Sequence, residues 1–178
     1  MKRKTKIAFL VILIMSLGYV ALAQNKVSLS IHQDARLGLL GDDKGNDAGT
    51  LNILARFKMQ GKQQKGYGYL VVFPEFEYAD IGGNYRRYSA NVGYTFNELI
   101  VDNFEASLFG GWGFIDRYAK AFFSAGFEAE LGYKITDRFK VSLLAQLIDR
   151  KDLKWMYGNT EVRFSGFIGI EYNLNIKK

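Results

Sequence analysis

The chain has 178 residues, one Pro, no Cys and a formal net charge of +6. The lack of Cys excludes disulfides, thiolate metal sites and the lipid-modified cysteine of a lipoprotein. Lys2, Arg3, Lys4 and Lys6 carry much of the charge with no acid among them, so the rest of the chain holds only +2, with its Lys and Arg scattered, which excludes a nucleic-acid footprint.

The first element in chain order is an export signal. The basic n-region leads into an apolar run from Ile7 to Val20, then the small-x-small site Ala21-Leu22-Ala23. Cleavage is expected after Ala23, giving a signal peptide over 1–23 and a single domain over 24–178. The apolar run is shorter than the ~20 residues a spanning helix needs.

From there the chain alternates between apolar and polar or small residues, the period of a strand whose two faces meet different surroundings. Strand one is expected over about Lys26 to Leu40, with Val27, Leu29 and Ile31 opposite Ser28, Ser30 and His32. Strand two, about Thr50 to Gln60, sets Leu51, Ile53, Ala55, Phe57 and Met59 against Asn52, Arg56 and Lys58. Strand three, about Gly66 to Tyr78, places Leu70, Val72, Phe76 and Tyr78 on the oily side and Glu75 and Glu77 on the other; the opposite phase, with a bulge near Pro74, is the alternative. Strand four runs from about Tyr85 to Phe96 and strand five from about Asn103 to Ile115.

Strand six shows the pattern most plainly: Phe123, Ala125, Phe127, Ala129, Leu131 and Tyr133 alternate with Ser124, Gly126, Glu128, Glu130, Gly132 and Lys134. Strand seven covers about Phe139 to Arg150 and strand eight about Thr160 to Leu174. Runs of this length exceed the usual five or six residues of a soluble sheet. A tilted strand crossing a bilayer needs about 9 to 11 residues. The expected fold is therefore all-β: an eight-stranded antiparallel up-and-down transmembrane β-barrel, preceded by a cleaved signal peptide. A soluble exported lipocalin-like barrel that binds an apolar ligand would have the opposite polarity, with its aromatics inside.

Two girdles of aromatic residues are expected on the oily parity. Tyr94, Phe96, Phe104, Tyr133, Phe139 and Tyr172 form one; Tyr78, Tyr88, Trp112, Phe114, Phe123 and Trp155 form the other. The last strand reads Gly169-Ile170-Glu171-Tyr172-Asn173-Leu174, which resembles the glycine-x-x-aromatic-x-hydrophobic signal by which outer-membrane barrels are recognised for assembly. The chain as a whole resembles the small, porin-like, eight-stranded outer-membrane β-barrel proteins of the Gram-negative type. That resemblance implies residence in the outer membrane, contact with its lipid and lipopolysaccharide, insertion by the barrel-assembly machinery and a monomeric state. With both termini on the periplasmic side, it also implies outer loops near 41–49, 79–84, 116–120 and 151–159.

The polar parity is rich in charge. Arg56, Lys58, Arg87, Lys134, Lys140 and Arg163 are expected to face inward. So are Glu75, Glu77, Glu105, Glu128, Glu130, Glu161 and Glu171. Charges withdrawn from bulk water persist only when paired, and an eight-stranded lumen is just wide enough for side chains to fill. A cross-barrel network that plugs the lumen follows, with a structural or surface-interaction role. A narrow channel or transporter is the alternative and would need a continuous polar path.

Catalysis has little to stand on. His32 is the single histidine; it lies near Asp34, which can pair with Arg36, and only parity offers Ser28, Ser30, Glu105 and Ser107 as partners. Nothing has nucleophile-elbow spacing. No catalytic, cofactor or metal site is expected. The segment Lys151 to Asn159 is the best candidate for an outside contact, because Trp155 and Tyr157 sit there among charged residues; the same rings could instead extend the aromatic girdle.

Overall fold

A computed structural model of the chain describes residues 26–42, 45–62, 68–82, 84–97, 102–158 and 162–174. The expected signal peptide, Glu161 and the first residues of the expected third strand lie outside the described residues.

The chain forms a closed barrel of eight strands, each hydrogen-bonded to the next in sequence, with the last returning to the first. The strands are β1 (Lys26–Asp34), β2 (Asn52–Gln60), β3 (Tyr69–Ala79), β4 (Tyr85–Asn97), β5 (Phe104–Arg117), β6 (Lys120–Lys134), β7 (Phe139–Asp149) and β8 (Val162–Leu174). All neighbours are antiparallel, and β1 closes on β8 in the register Val27 to Leu174. Closure removes the edge strands that would otherwise leave unpaired backbone groups. The alternation on β6 is realised as drawn from sequence: Ser124, Glu128 and Glu130 are buried while Phe123, Phe127 and Leu131 are exposed.

The polarity is that of a membrane barrel. Leu108, Phe127, Leu131, Leu143, Leu147, Ile168 and Ile170 all stand exposed on the outer wall. Arg56, Arg87, Glu75, Glu128, Glu130 and Glu171 are buried inside it. Such an exposed apolar wall around a charged interior is stable against hydrocarbon and not against water. β3 takes the simpler phase, with Leu70 and Phe76 outward and Glu75 and Glu77 inward, and Pro74 sits exposed on the wall without a bulge.

The aromatic girdles appear as touching pairs. Tyr94–Phe96, Phe104–Tyr133 and Phe139–Tyr172 each have ring centroids 5.0 Å apart, all near the end of the barrel that carries the strand termini. Phe76–Tyr88 at 5.1 Å and Phe114–Phe123 at 6.1 Å lie nearer the other end.

That other end carries two short helices where hairpin tips were expected. β1 stops at Asp34 rather than continuing to Leu40, and α1 (Ala35–Leu39) follows. Asp34 does not pair with Arg36. It serves as N-cap, its Oδ1 accepting from the Leu37 backbone N–H at 2.9 Å. After β7 comes α2 (Lys151–Tyr157), closed by Gly158 in the left-handed conformation, with its N–H bonded to the Lys154 carbonyl. The β5–β6 hairpin turns on Tyr118 (φ 50°) and Ala119 (φ 57°), both left-handed, the geometry of a two-residue I′ turn.

Candidate functional site

Charged side chains from seven strands meet inside the barrel, and β1 joins through a serine. Arg56 on β2 is the hub. Its Nε donates to Glu75 Oε2 at 2.8 Å, its Nη2 to Glu128 Oε2 at 2.7 Å and its Nη1 to Glu130 Oε2 at 2.8 Å. Arg87 on β4 holds the other oxygen of Glu75 at 2.6 Å, and Ser89 adds a hydrogen bond to it at 3.0 Å. Gln146 holds the second oxygen of Glu128 at 2.9 Å.

Toward the terminal end the pattern repeats with lysines. Lys58 bridges Glu130 at 2.8 Å and Glu171 at 2.7 Å. Lys140 reaches Glu171 at 3.1 Å, Glu105 at 3.2 Å and Glu130 at 3.4 Å. Ser28 on β1 donates to Glu171 at 2.8 Å, and Tyr69 to Glu105 at 3.1 Å. Lys134 completes the chain on Glu105 at 2.8 Å; its side chain is 39% exposed and marks the rim.

Small residues make room for these long side chains. A Cβ at Gly126 would stand 2.9 Å from Arg87 Nη2, and one at Gly169 would collide with the His32 ring. The charges are also not alone in the lumen. Phe73 and Phe109, both fully buried, pack edge to face at 5.0 Å, with the Arg56 guanidinium 5.1 Å above one ring and Lys58 Nζ 5.5 Å above the other. Tyr69 and Val71 join them, and Leu54, Leu144 and Phe167 form a second apolar patch. Inward parity at positions 73 and 109 is the signal that could have found the ring pair.

His32 is buried, and its Nε2 lies 2.8 Å from Ser142 Oγ. It does not meet the serines and glutamate that parity offered: Ser28 is on Glu171, Ser107 on Thr95, and Glu105 is held by lysines. Both members of the His32–Ser142 pair are buried, and among the described residues no acid is hydrogen-bonded to the ring. No group of three or more His, Cys, Asp or Glu that could hold a metal occurs among the described residues.

Near the helix-bearing end a collar of Ala79, Tyr85, Ile115 and Ile148 crosses the lumen. Tyr85 links two layers: its hydroxyl donates to Glu77 at 3.2 Å, and the Arg150 guanidinium lies 4.3 Å over its ring. Beyond the collar, Asp152 of α2 is fully buried between two arginines. Arg150 grips it with two bonds, of 2.8 and 2.7 Å, and Arg117 reaches it at 3.1 Å while also donating to the Gly82 carbonyl. Burial pushes the Asp152 carboxyl up, but the hydrogen bonds and charges of Arg150 and Arg117 outweigh it and hold the group below its ordinary range.

Arg117, Arg150 and Gly82 line a cavity of about 310 Å³ together with Asp42, Tyr157 and Arg163. Arg163, grouped by parity with the central network, is half-buried here instead, on the second residue of β8. Trp155 stands on the rim, 49% exposed, packed on Phe122 at 5.8 Å with Lys120 Nζ 3.9 Å above its ring. Tyr157 is 57% exposed at the cavity edge.

No family model and no curated protein matches the sequence. Solved structures do match. The outer membrane protein Ail of Yersinia pestis, in a phospholipid bilayer nanodisc, is similar with a TM-score of 0.50 at 15% identity, over 85% of this chain and 100% of that one. The fold is that of a small outer-membrane β-barrel. Neisserial surface protein A is similar with a TM-score of 0.45 at 9% identity, over 85% of this chain and 96% of that one. The crystal structure of Ail, the attachment invasion locus protein of Yersinia pestis, gives 0.44 at 12%, over 84% and 97%. At these identities the likeness is one of architecture.

Proposed function

We propose that this chain is an integral outer-membrane barrel with a closed lumen, no catalytic activity and a structural or surface-contact role. The observation that carries the reading is the Arg56 hub, which ties β2 to β3 and β6 across the interior and leaves Phe73 and Phe109 stacked against it. A pore needs water-filled space at that level, and here ionic and aromatic side chains fill it. The barrel interacts with membrane lipid and lipopolysaccharide along its wall, works as a monomer and enters the membrane through the barrel-assembly machinery after loss of residues 1–23. The helix-bearing end faces outward, because the strand termini share the opposite end.

The test combines fractionation with electrophysiology. The protein should partition with outer membranes, migrate anomalously on SDS gels until boiled, and give no steady conductance in planar bilayers. A large, stable unitary current from the wild type would instead establish the narrow-channel alternative. For the outer rim, replacing Trp155 and Tyr157 by Ser separates two roles. Loss of surface or partner binding with the heat-shift intact marks a contact site. Loss of membrane retention marks a girdle.

A further inference from the structure

We infer that the barrel interior binds water between the Arg56 hub and the Tyr85 collar, where it bridges Arg87 to Ser124 and to Gln146. All three side chains are almost fully buried. Arg87 Nη1 is held by Glu75 Oε1, but its Nε and Nη2 have no hydrogen-bond partner, and neither has the Ser124 hydroxyl or the Gln146 amide oxygen. The Gln146 amide nitrogen donates to Glu128, which fixes the oxygen as the free end. Buried polar atoms of this kind are met in folded interiors by internal water.

The three side chains gather around Gly126. Arg87 reaches across from β4, so that a Cβ at Gly126 would stand 2.9 Å from its Nη2. Along β6, Ser124 is the next inward residue on one side of Gly126; on the other is Glu128, in register with Gln146. Gly111 and Gly113 of β5 stand opposite Gly126 and Ser124, so β5 puts no side chain into this stretch of the interior. The collar packs beside it, with Ile148 Cγ1 3.7 Å from the same Cβ position. The Arg56 hub bounds it through Glu75 and Glu128.

The free atoms select the ligand. The guanidinium only donates, Gln146 Oε1 only accepts, and the Ser124 hydroxyl does either. Water answers all of them, because it donates and accepts. An anion would face the Gln146 oxygen and the carboxylates of Glu75 and Glu128, and a cation would face the guanidinium. Glu77 is the cross-strand neighbour of Arg87, yet it accepts from Tyr85 at 3.2 Å and leaves the free edge of the guanidinium unanswered. Binding of the water does not depend on the closed-lumen reading; its confinement does.

The experiment is a crystal structure of the processed protein in detergent, at a resolution that shows ordered water, with a second crystal soaked in bromide. Water is expected about 2.7–3.2 Å from Arg87 Nε or Nη2 and from Ser124 Oγ, and again from Gln146 Oε1, with no bromide signal there. Ser124→Ala, its heat-shift intact, should lose the water at the hydroxyl and keep the one at Gln146. Water enclosed on all sides supports both the site and the closed lumen. A file of water running past the collar to bulk solvent keeps the site and overturns the closure. A bromide peak at Arg87, a guanidinium turned onto Glu77, or an ordered Arg87 with no water beside it would overturn the site.

Discussion

Asp152 shows how one side chain can organise a barrel mouth. It lies on α2, yet it is gripped by the arginine that ends β5 and by the one that follows β7. Its carboxyl is held below the unfolded value of 3.8. A depressed carboxyl contributes stability that is present above the unfolded pKa and is lost as pH falls through the lower folded one. The protection of α2 amides in the wild type, relative to their intrinsic exchange rate at each pH, should therefore be high near neutrality and fall only on acidification below about pH 4. Asp152→Asn should exchange faster at neutral pH, with the two proteins converging in acid. A difference that persists unchanged at low pH would mean that the arginines hold α2 by other contacts. Ala119 offers a second residue-scale test. Its positive φ costs a residue bearing a Cβ about 1 kcal/mol, so Ala119→Gly should raise stability by roughly that amount in urea unfolding of the detergent-folded barrel.

At the scale of elements, alternation carried most of the information. It located all eight strands and their faces, because a period of two admits only an inward and an outward set. It could not say how high along the barrel a residue sits. Arg163 has the parity of the lumen and belongs to the mouth, since it is the second residue of β8. Nor could it separate strand from helix over Ala35–Leu39, where apolar and polar residues keep alternating after the strand ends; the readable cue was Asp34 in an N-cap position. Gly158, left-handed after Tyr157, was the corresponding cue for α2. The assignment of the oily face to lipid has a direct check. Leu143→Arg, at an exposed position in the middle of β7, should destabilise the barrel by about 2–4 kcal/mol in lipid vesicles. Leu51→Arg, just outside β2 at the helix-bearing end, should cost no more than about 1 kcal/mol. Equal costs at both positions would contradict a midplane at the level of Leu143.

At the scale of the whole molecule, closure by backbone pairing and filling by charge act on the same object. Every strand contributes to the interior network: β1 through Ser28, β2 through Arg56 and Lys58, and the others through Glu75, Arg87, Glu105, Glu128, Glu130, Lys140 and Glu171. An ion pair buried in this way is weak evidence for net stability, because desolvation offsets the Coulombic gain. Breaking one is different, since the abandoned partners remain buried and unpaired. Arg56→Ala removes the shared partner of three carboxylates and the cation over Phe73, so it should cost about 3–5 kcal/mol and lower the temperature at which the heat-shift is lost. Glu128→Ala removes a single Arg56 contact and should cost less, because Glu75 and Glu130 still hold the hub. The two variants also test whether the network is the plug. In planar bilayers Arg56→Ala should pass small, flickering currents, since the opened space connects layers that the guanidinium now separates, and Glu128→Ala should pass fewer. If Arg56→Ala loses stability as expected and stays silent, the Phe73–Phe109 pair closes the lumen without help from the charges.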